Sequence, residues 1–507
     1  MQAGTRRQFL GRLGQGMLFA TCGLSLARGS AAAARGRGGF AFDLAPLPLP
    51  EELEPLVQRM VELAPGELMP HLVTALRAGT PLDRLVVAGA LANVRVFGGT
   101  DYEGYHAFMA LLPAHAMAAR MPTGLAALPV LKVLHRNSAR IQKAGAGRKG
   151  LAPVTPAAEV AGDPGKALRN LARNCDLPAA EALLAQRCAQ SPATANADLQ
   201  PLLHDDLNVH RIVLAMRAWD MARLAGDAHA EPLLRQFVRF CVDEEQHRVT
   251  RGSPVPEVRA VVPKLLDAHG LATRTPGERE LAGARFDELV AIVFGESRER
   301  AAEAVAKALA EGFAPEAVGE AISLAGNRLL LHDTGKNRVH GASVGVHASD
   351  AANAWRHVAR AAAPATGLAS LVVAAFHTAG QSGAVGKEPY DCSEALGKLG
   401  DAGGPALLAA TAAAVEQRDQ RGAMAAATAY GKRGEAPEPM FDLLLRYAVS
   451  EDGALHAEKY FHTVCEEYAA TRPTHRWSLV VALARVTASE FGEPAPGVQD
   501  VRKLLAT

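Results

Sequence analysis

Apolar residues recur at spacings of three and four along almost the whole chain. The segments LLRQFVRFCV at 233–242 and LVVALARVTASEF at 479–491 illustrate the pattern, which places apolar side chains on one face of a helix. Proline and an acidic residue open the next helix in 79–83 and again in 312–316. No useful run of alternating β-branched residues interrupts these segments. The sequence therefore predicts an all-α protein of roughly 18–24 helices.

The chain also repeats itself. PTGLAALPVLKVLH at 122–135 resembles PATGLASLVVAAFH at 364–377, and both segments end in a histidine. A shift of about 242 residues brings His106 within one residue of the position of His347. The same shift places His115 on His357, and 231–247 resembles 438–456. These matches predict a tandem duplication of a multi-helix domain, either HEAT-like or a bundle, whose copies are related by a pseudo-twofold axis.

Glycine- and proline-rich linkers set the boundaries of the copies. One linker, 144–164, divides the first copy, and another at 269–280 separates the two. We expect copy one at 40–275 and copy two at 280–507.

Charge and cysteine content narrow the function classes. Lys and Arg number 54 and Asp and Glu number 53, which gives a net charge of +1 without a basic block beyond the N-terminal arm. Nucleic acid is therefore not an expected partner. The cysteines after residue 35 show no CxxC spacing, which argues against a disulfide framework and an iron–sulfur cluster. A single Cys175–Cys188 bridge and buried free thiols are the two alternatives.

The N-terminus has the pattern of an export signal. Arg6 and Arg7 precede Phe9 and Leu10, and a weakly apolar stretch then leads to small residues near 31–35. This resembles a twin-arginine signal peptide over residues 1–35, which implies the twin-arginine translocase as a partner during export. The segment LFATC, which ends in Cys22, also resembles a lipoprotein cleavage site, but less closely than residues 1–35 resemble a twin-arginine signal. We therefore expect a periplasmic or extracellular protein with no stable membrane span.

Histidines and acids supply the candidate chemistry. Asp243 and His247, like Asp452 and His456, are four residues apart, which predicts that carboxylate and imidazole share one helix face. His210 has no counterpart near Gln420, which argues against a paired ligand but leaves His210 available to a site in copy one. Imidazoles with carboxylates suit iron, copper or zinc. The candidate metal ligands are His347, His377, His456, Asp452 and His340 in copy two, and His106, His135, His247 and Asp243 in copy one.

Two short strings carry a resemblance to known proteins. HAFMALLPAH in copy one and VHASDAANAWRH in copy two resemble a segment, HAxTxANALH, of bacterial helical proteins that include fusions to Rieske domains, and of questin oxidase-like proteins. The resemblance implies cofactor-poor or metal-dependent oxidation of aromatic polyketides. It implies roles for His347, Asn353 and His377 in copy two, and for His106 and His135 in copy one. Leu112 replaces the expected asparagine in copy one, so we expect the functional centre in copy two.

Two functions from different classes follow. The first is an exported metal-dependent oxidoreductase, an oxygenase of an aromatic or small organic substrate, with its histidine-rich site in copy two. The second is a non-catalytic helical-repeat scaffold or binding protein whose histidines cap helices and bridge buried carbonyls. The sequence leaves the oligomeric state open.

Overall fold

Helices make up 76% of the residues that the computed structural model describes. The prediction of an all-α protein is confirmed, because the described residues form 23 α-helices and no β-strand. The predicted signal peptide with Arg6 and Arg7 lies outside the described residues, as does Cys22. The described residues are 52–145, 151–159, 162–337 and 339–506.

The helices are numbered in chain order. They are α1 (Glu54–Glu62), α2 (Pro65–Arg77), α3 (Leu82–Phe97), α4 (Tyr102–Ala118), α5 (Leu128–Ala144), α6 (Pro164–Arg173), α7 (Leu177–Gln190), α8 (Pro192–Leu203), α9 (Val209–Ala225), α10 (Ala230–Thr250), α11 (Val258–Ala268), α12 (Gly283–Gly295), α13 (Arg298–Ala310), α14 (Pro315–His332), α15 (Val344–Ala361), α16 (Pro364–Ala379), α17 (Ser393–Lys398), α18 (Gly404–Glu416), α19 (Gln420–Lys432), α20 (Glu438–Ser450), α21 (His456–Ala470), α22 (Pro473–Glu490) and α23 (Val498–Ala506).

Four of these helices form a closed ring of neighbours. Helix α4 packs against α9 and α21, and α15 packs against the same two helices. Helices α4 and α9 belong to predicted copy one, and α15 and α21 belong to predicted copy two. A twofold axis between the copies would produce this pattern of neighbours. That the halves superpose, with His135 over His377 and His247 over His456, stays a prediction.

Three of the four ring helices begin with a side-chain cap. Asp101, Asn208 and Ser343 precede α4, α9 and α15, and each accepts a hydrogen bond from a backbone N–H two or three residues further on. Such caps satisfy donors that the first turn of a helix leaves unpaired.

Helix α21 begins differently. Gly453, Ala454 and Leu455 all have positive φ, at 50°, 46° and 67°, and no side chain caps the helix. A non-glycine residue in this region costs on the order of 1–3 kcal/mol. Strained backbone therefore leads directly into His456, the first residue of α21.

Two further expectations concern the cysteine thiols and membrane-spanning helices. The described cysteines, including Cys175 and Cys188, are free thiols. Among the described helices, none is both long and apolar enough to cross a membrane.

Candidate functional site

The ring of helices brings four histidines together. His106, His210, His347 and His456 each lie within the first five residues of α4, α9, α15 and α21. Their rings follow one another in a closed cycle. The centroid distances are 4.7 Å from His106 to His210, 5.6 Å from His210 to His347, 5.2 Å from His347 to His456 and 5.2 Å from His456 to His106. We call these residues the four-histidine cluster.

Hydrogen bonds fix the tautomers of two of the rings. Nδ1–H of His106 donates to the Tyr102 carbonyl at 2.7 Å, and Nδ1–H of His210 donates to Asn208 Oδ1 at 3.0 Å. Both acceptors are oxygens that lack a proton, so Nε2 of each ring keeps its lone pair. These two Nε2 atoms are buried and have no hydrogen-bond partner among the described residues.

The other two rings face each other. Nε2 of His347 and Nε2 of His456 are 3.3 Å apart and share a hydrogen bond, in which one Nε2–H donates to the lone pair of the other. The cluster therefore gathers four Nε2 atoms, two of which are buried lone pairs that the described protein leaves unsatisfied. A buried polar group without a partner is costly, so such atoms need an explanation.

Burial keeps the four rings neutral. Loss of hydration lowers the pKa of His347 to about 3, and it holds the pKa of His106, His210 and His456 well below the ordinary value near 6.5. The field of the Lys459 ammonium acts in the same direction on all four. Because four helix N-termini meet here, their positive ends also disfavour imidazolium. Neutral imidazole is the form that binds metal ions.

Buried charges surround the cluster on the side of α15 and α21. Burial lowers the pKa of Lys459 to about 8 and raises that of Asp350 to about 6. The Thr463 hydroxyl donates to Asp350 Oδ1 at 2.9 Å. Lys459 and Asp350 are therefore buried groups whose protonation can change when the charge at the four-histidine cluster changes.

Two tyrosines cover the opposite side. The Tyr102 ring lies 4.4 Å from the His106 ring, and the Tyr105 ring lies 5.4 Å from the His210 ring. Tyr105 is buried, whereas Tyr102 is 45% exposed. The aromatic pair thus separates these two histidines from solvent.

A narrow pocket reaches the cluster at His456. It contains about 410 Å³ of empty space, which includes its open mouth. Most of its lining is apolar, and its two acids are already engaged. Glu451 accepts hydrogen bonds from the backbone N–H groups of 492 and 493, and Glu490 accepts from those of 340 and 341. The apolar lining residues are Val346, Ala448, Ala457, Leu483 and Val486.

The donor atoms are near one another but do not yet surround one point. In the part of the chain that the structure describes, no three His, Cys, Asp or Glu side chains are already arranged as a metal-binding group. Closing the four-histidine cluster on an ion would require the rings to rotate or shift.

The structure brings three of the predicted metal ligands into this cluster. These are His106, His347 and His456, and His210 joins them although the sequence comparison set it aside. The cluster draws equally on both predicted copies. Helices α4 and α9 of copy one complete the ring of helices, and the location of the functional centre in copy two stays a prediction.

Two further predicted ligands are buried but satisfied by other partners. Nδ1 of His377 accepts from Trp355 Nε1–H at 3.2 Å. His340 lies 2.9 Å from the Ser489 hydroxyl through Nδ1, and 3.2 Å from the Asp333 carbonyl through Nε2. Neither ring makes a ring contact with the cluster in the described structure.

The other predicted ligands lie outside the cluster. His247 is exposed and pairs with Asp243 at 3.6 Å, which is a solvated pair along α10. Asp452 pairs with Arg136 at 2.9 Å. The expectation that Asp452 and His456 share one helix face is wrong, because Asp452 precedes the left-handed residues before α21.

The remaining candidate, His135, lies on α5 and is partly exposed. Its ring packs so closely against Gly497 that a Cβ at that glycine would meet it at 2.3 Å. Gly497 directly precedes α23, so this contact packs α5 against the start of α23.

His377 gives a testable pH dependence. Burial lowers its pKa to about 4, so the folded protein resists its protonation while the unfolded chain accepts a proton below about 6.5. Its contribution to the free energy of unfolding is therefore present at neutral pH and is lost as the pH falls from about 6.5 towards 4. At ~1.4 kcal/mol per pH unit, the loss between pH 6.5 and 5 is roughly 2 kcal/mol.

The measurement compares denaturant unfolding of the wild type and His377→Gln at pH 7.5 and pH 5.0. Glutamine retains an acceptor for Trp355 but does not titrate. We expect the stability advantage of the wild type to shrink by roughly 2 kcal/mol at the lower pH. An unchanged advantage would contradict the buried neutral state of His377.

In comparisons with known proteins, no family model, curated protein or solved structure matches the chain. The likeness to questin oxidase-like proteins therefore depends on the two short strings alone. Of the residues it implies, His106 and His347 lie in the cluster. Asn353 donates to Glu467 Oε1 at 3.0 Å, within a buried network that also includes Arg356.

Proposed function

We propose that the four-histidine cluster binds one redox-active metal ion, iron or copper, and that the protein is a metal-dependent oxidoreductase acting on a small organic molecule. The observation that carries the proposal is the closed cycle of four buried histidine rings. Two of their Nε2 atoms carry buried lone pairs without a partner among the described residues, and the other two are 3.3 Å apart.

Two of the four donors already have the separation that such an ion requires, and the other two must move towards it. Two nitrogens bound at 2.0–2.1 Å to one ion are separated by about 3.0 Å at a right angle and about 3.4 Å at the tetrahedral angle. The His347–His456 separation of 3.3 Å falls in that range. His106 and His210 complete the cycle through ring contacts of 4.7–5.6 Å. Neutral imidazole is a good ligand for iron, copper and zinc alike.

The chain's own residues would hold and protect the ion. Tyr102 O and Asn208 Oδ1 keep the His106 and His210 rings in the tautomer that presents Nε2. Burial keeps the donors unprotonated, and Tyr105 excludes water from one side. When bound, the ion would supply electron transfer and activation of dioxygen.

The pocket at His456 is the proposed substrate site. Its apolar walls favour an organic group over an ion, and they must move apart to admit more than a small group, because only about 30 Å³ of the pocket is open to the centre of a water-sized sphere. Among the described residues, the pocket lining includes no Lys or Arg that could attract an anion, and Glu451 and Glu490 are held by backbone N–H groups. A neutral substrate is the best match to these walls.

The alternative, a non-catalytic scaffold, accounts for other histidines better than for these four. His340 and His377 make the hydrogen bonds that structural histidines make. A scaffold, however, gives no use to the lone pairs of His106 and His210, which are buried and unsatisfied within the described structure. For that reason we place the oxidoreductase first.

Export remains part of the proposal. The segment that resembles a twin-arginine signal would carry a folded, metal-loaded protein to the periplasm or beyond. Recovery of the mature chain from the periplasmic fraction of the source cells would support this location.

Metal loading tests the function directly. The metal-free full-length protein is incubated anaerobically with Fe²⁺, or separately with Cu²⁺ or Zn²⁺, and desalted before metal analysis. We expect about one ion per chain, because the four neighbouring Nε2 donors can close on one ion when their rings rotate. Retention of none of the three metals would contradict the proposal and leave the scaffold as the better explanation, and retention of zinc alone would contradict the redox role.

A further inference from the structure

His210 is tied to a carboxylate through an asparagine. Its Nδ1–H donates to Asn208 Oδ1 at 3.0 Å, and the Asn208 amide Nδ2 donates to Glu244 Oε2 at 2.7 Å. Glu244 lies on α10, whereas Asn208 directly precedes α9. The three side chains thus form a continuous hydrogen-bonded line from the four-histidine cluster to the next helix.

Each link constrains the next one. An asparagine amide can present either its oxygen or its NH2 group, and a carboxylate can only accept. Glu244 therefore requires Asn208 to direct Nδ2 towards it, which leaves Oδ1 facing His210. That oxygen in turn requires the proton of His210 on Nδ1, so the lone pair of Nε2 is directed into the cluster.

His106 is held in a different way. Its Nδ1–H donates to the Tyr102 carbonyl, a backbone group of the same helix, at 2.7 Å. A backbone carbonyl carries no net charge and moves with the helix. The His210 link instead ends in a charged group on a separate helix, so its strength depends on how α9 and α10 pack and on the charge of Glu244.

We propose that Asn208 and Glu244 are positioning residues for His210, setting its tautomer and increasing its strength as a metal donor. The inference rests on the proposed function, because it assumes that His210 binds the ion. Partners of this kind orient the ring of a ligating histidine and raise its basicity. Neither residue touches the ion or the substrate.

Asn208 also has a structural role that the test must separate. Its Oδ1 accepts from the backbone N–H of His210 at 2.9 Å, which caps α9. Asp419 caps α19 in a comparable way, because its side chain accepts from the Gly422 N–H at 3.0 Å. Asp419→Ala is therefore a matched control that removes a cap in a different part of the chain. Asn208→Ser keeps a good cap residue but has no amide to reach Glu244.

The experiment uses the full chain and two readouts. The first is ¹⁵N NMR of the histidine rings in the metal-free protein, which distinguishes Nδ1–H from Nε2–H tautomers. The second is the dissociation constant for Co²⁺, measured by competition with a chelator and followed by visible absorption. The variants are Asn208→Ser, Asn208→Ala, Glu244→Gln and Asp419→Ala.

We expect Asn208→Ser and Asn208→Ala to weaken Co²⁺ binding about tenfold to a hundredfold, with loss of the fixed His210 tautomer. Glu244→Gln retains an acceptor but removes the charge, so its effect should be smaller and in the same direction. Asp419→Ala should leave the Co²⁺ affinity unchanged.

The two readouts separate the ways of failing. If the wild type binds none of Co²⁺, Fe²⁺ and Cu²⁺, the proposed function fails, and this inference fails with it. If the wild type binds Co²⁺ and Asn208→Ser binds it equally well, the positioning role is wrong while the metal site stands. A loss in Asp419→Ala as large as that in Asn208→Ala would assign the effect to general stability and overturn the positioning role.

Discussion

His210→Ala is expected to weaken iron binding at least about a hundredfold, as much as His347→Ala does. Loss of an outer partner of a ligand costs about tenfold to a hundredfold in affinity, and loss of the ligand itself should cost no less. His106→Ala and His456→Ala belong to the same class, because the four rings form one cycle. The fold should survive each change, because the core of the protein is apolar.

Two other histidines provide matched controls. His377→Gln and His340→Gln alter buried rings whose hydrogen bonds go elsewhere, so they should leave the iron affinity unchanged. The measurement is the dissociation constant for Fe²⁺ under anaerobic conditions, with circular dichroism as a check of helicity. Equal iron affinity in the wild type and His210→Ala, or a matching loss in His377→Gln, would contradict the four-histidine cluster as the site.

The sequence could have included His210 among the ligands. His106 and His347 are 241 residues apart, and His210 and His456 are 246 residues apart, so the two spacings are nearly equal. A search near Gln420 misses this match because it follows the shift of about 210 residues between 231–247 and 438–456, whereas the shift of about 242 leads to 452, four residues before His456. The match of 231–247 with 438–456 also directs attention to His247, which is exposed.

Local rules predicted the helices well and the start of α21 poorly. Spacings of three and four, with proline and capping residues at the starts, are properties of short segments and can be read without knowledge of the fold. The three residues before His456 adopt positive φ although two of them are Ala454 and Leu455. Only packing around them can impose such a conformation, because the residues themselves disfavour it.

The site itself depends on contacts between distant segments. Periodicity places His106 and His347 near the starts of their helices, but it does not specify which helices are neighbours. That α4 and α15 both contact α9 and α21 is a property of the packed bundle. For the same reason, carboxylates that look like partners in sequence, such as Asp452, bind Arg136 instead.

A buried ion pair between the predicted copies should have the largest effect on stability. Lys132 on α5 pairs with Glu458 on α21 at 2.6 Å, and both side chains are fully buried. The Lys132 ammonium also donates to the carbonyls of Ala448 at 2.8 Å and Glu451 at 2.5 Å. The ammonium thus has two carbonyl acceptors besides its ion pair with Glu458, whose carboxylate oxygens accept no hydrogen bond from the described residues. Glu458 lies two residues after His456, so this pair also supports the start of α21.

Lys132→Met is expected to lower the free energy of unfolding by about 3–5 kcal/mol, because it leaves the Glu458 carboxylate buried without its cation. The double variant Lys132→Met/Glu458→Leu should recover part of that loss, since two apolar side chains can replace a buried pair at little cost. The recovery should be incomplete, because two backbone carbonyls lose their donor. Denaturant unfolding measures all three proteins.

Lys398 and Glu394 serve as the control pair. They are 2.8 Å apart on the surface of α17, and both are largely exposed. Water and salt weaken such a pair, and its side chains lose entropy when they are held together. Lys398→Met should therefore leave the unfolding midpoint unchanged. If Lys132→Met also left the unfolding midpoint unchanged, the contact between α5 and α21 would not depend on this pair. The backbone strain before His456 would then be held by the apolar contacts of Leu455 and its neighbours, and the single change Leu455→Ala would be the more damaging one.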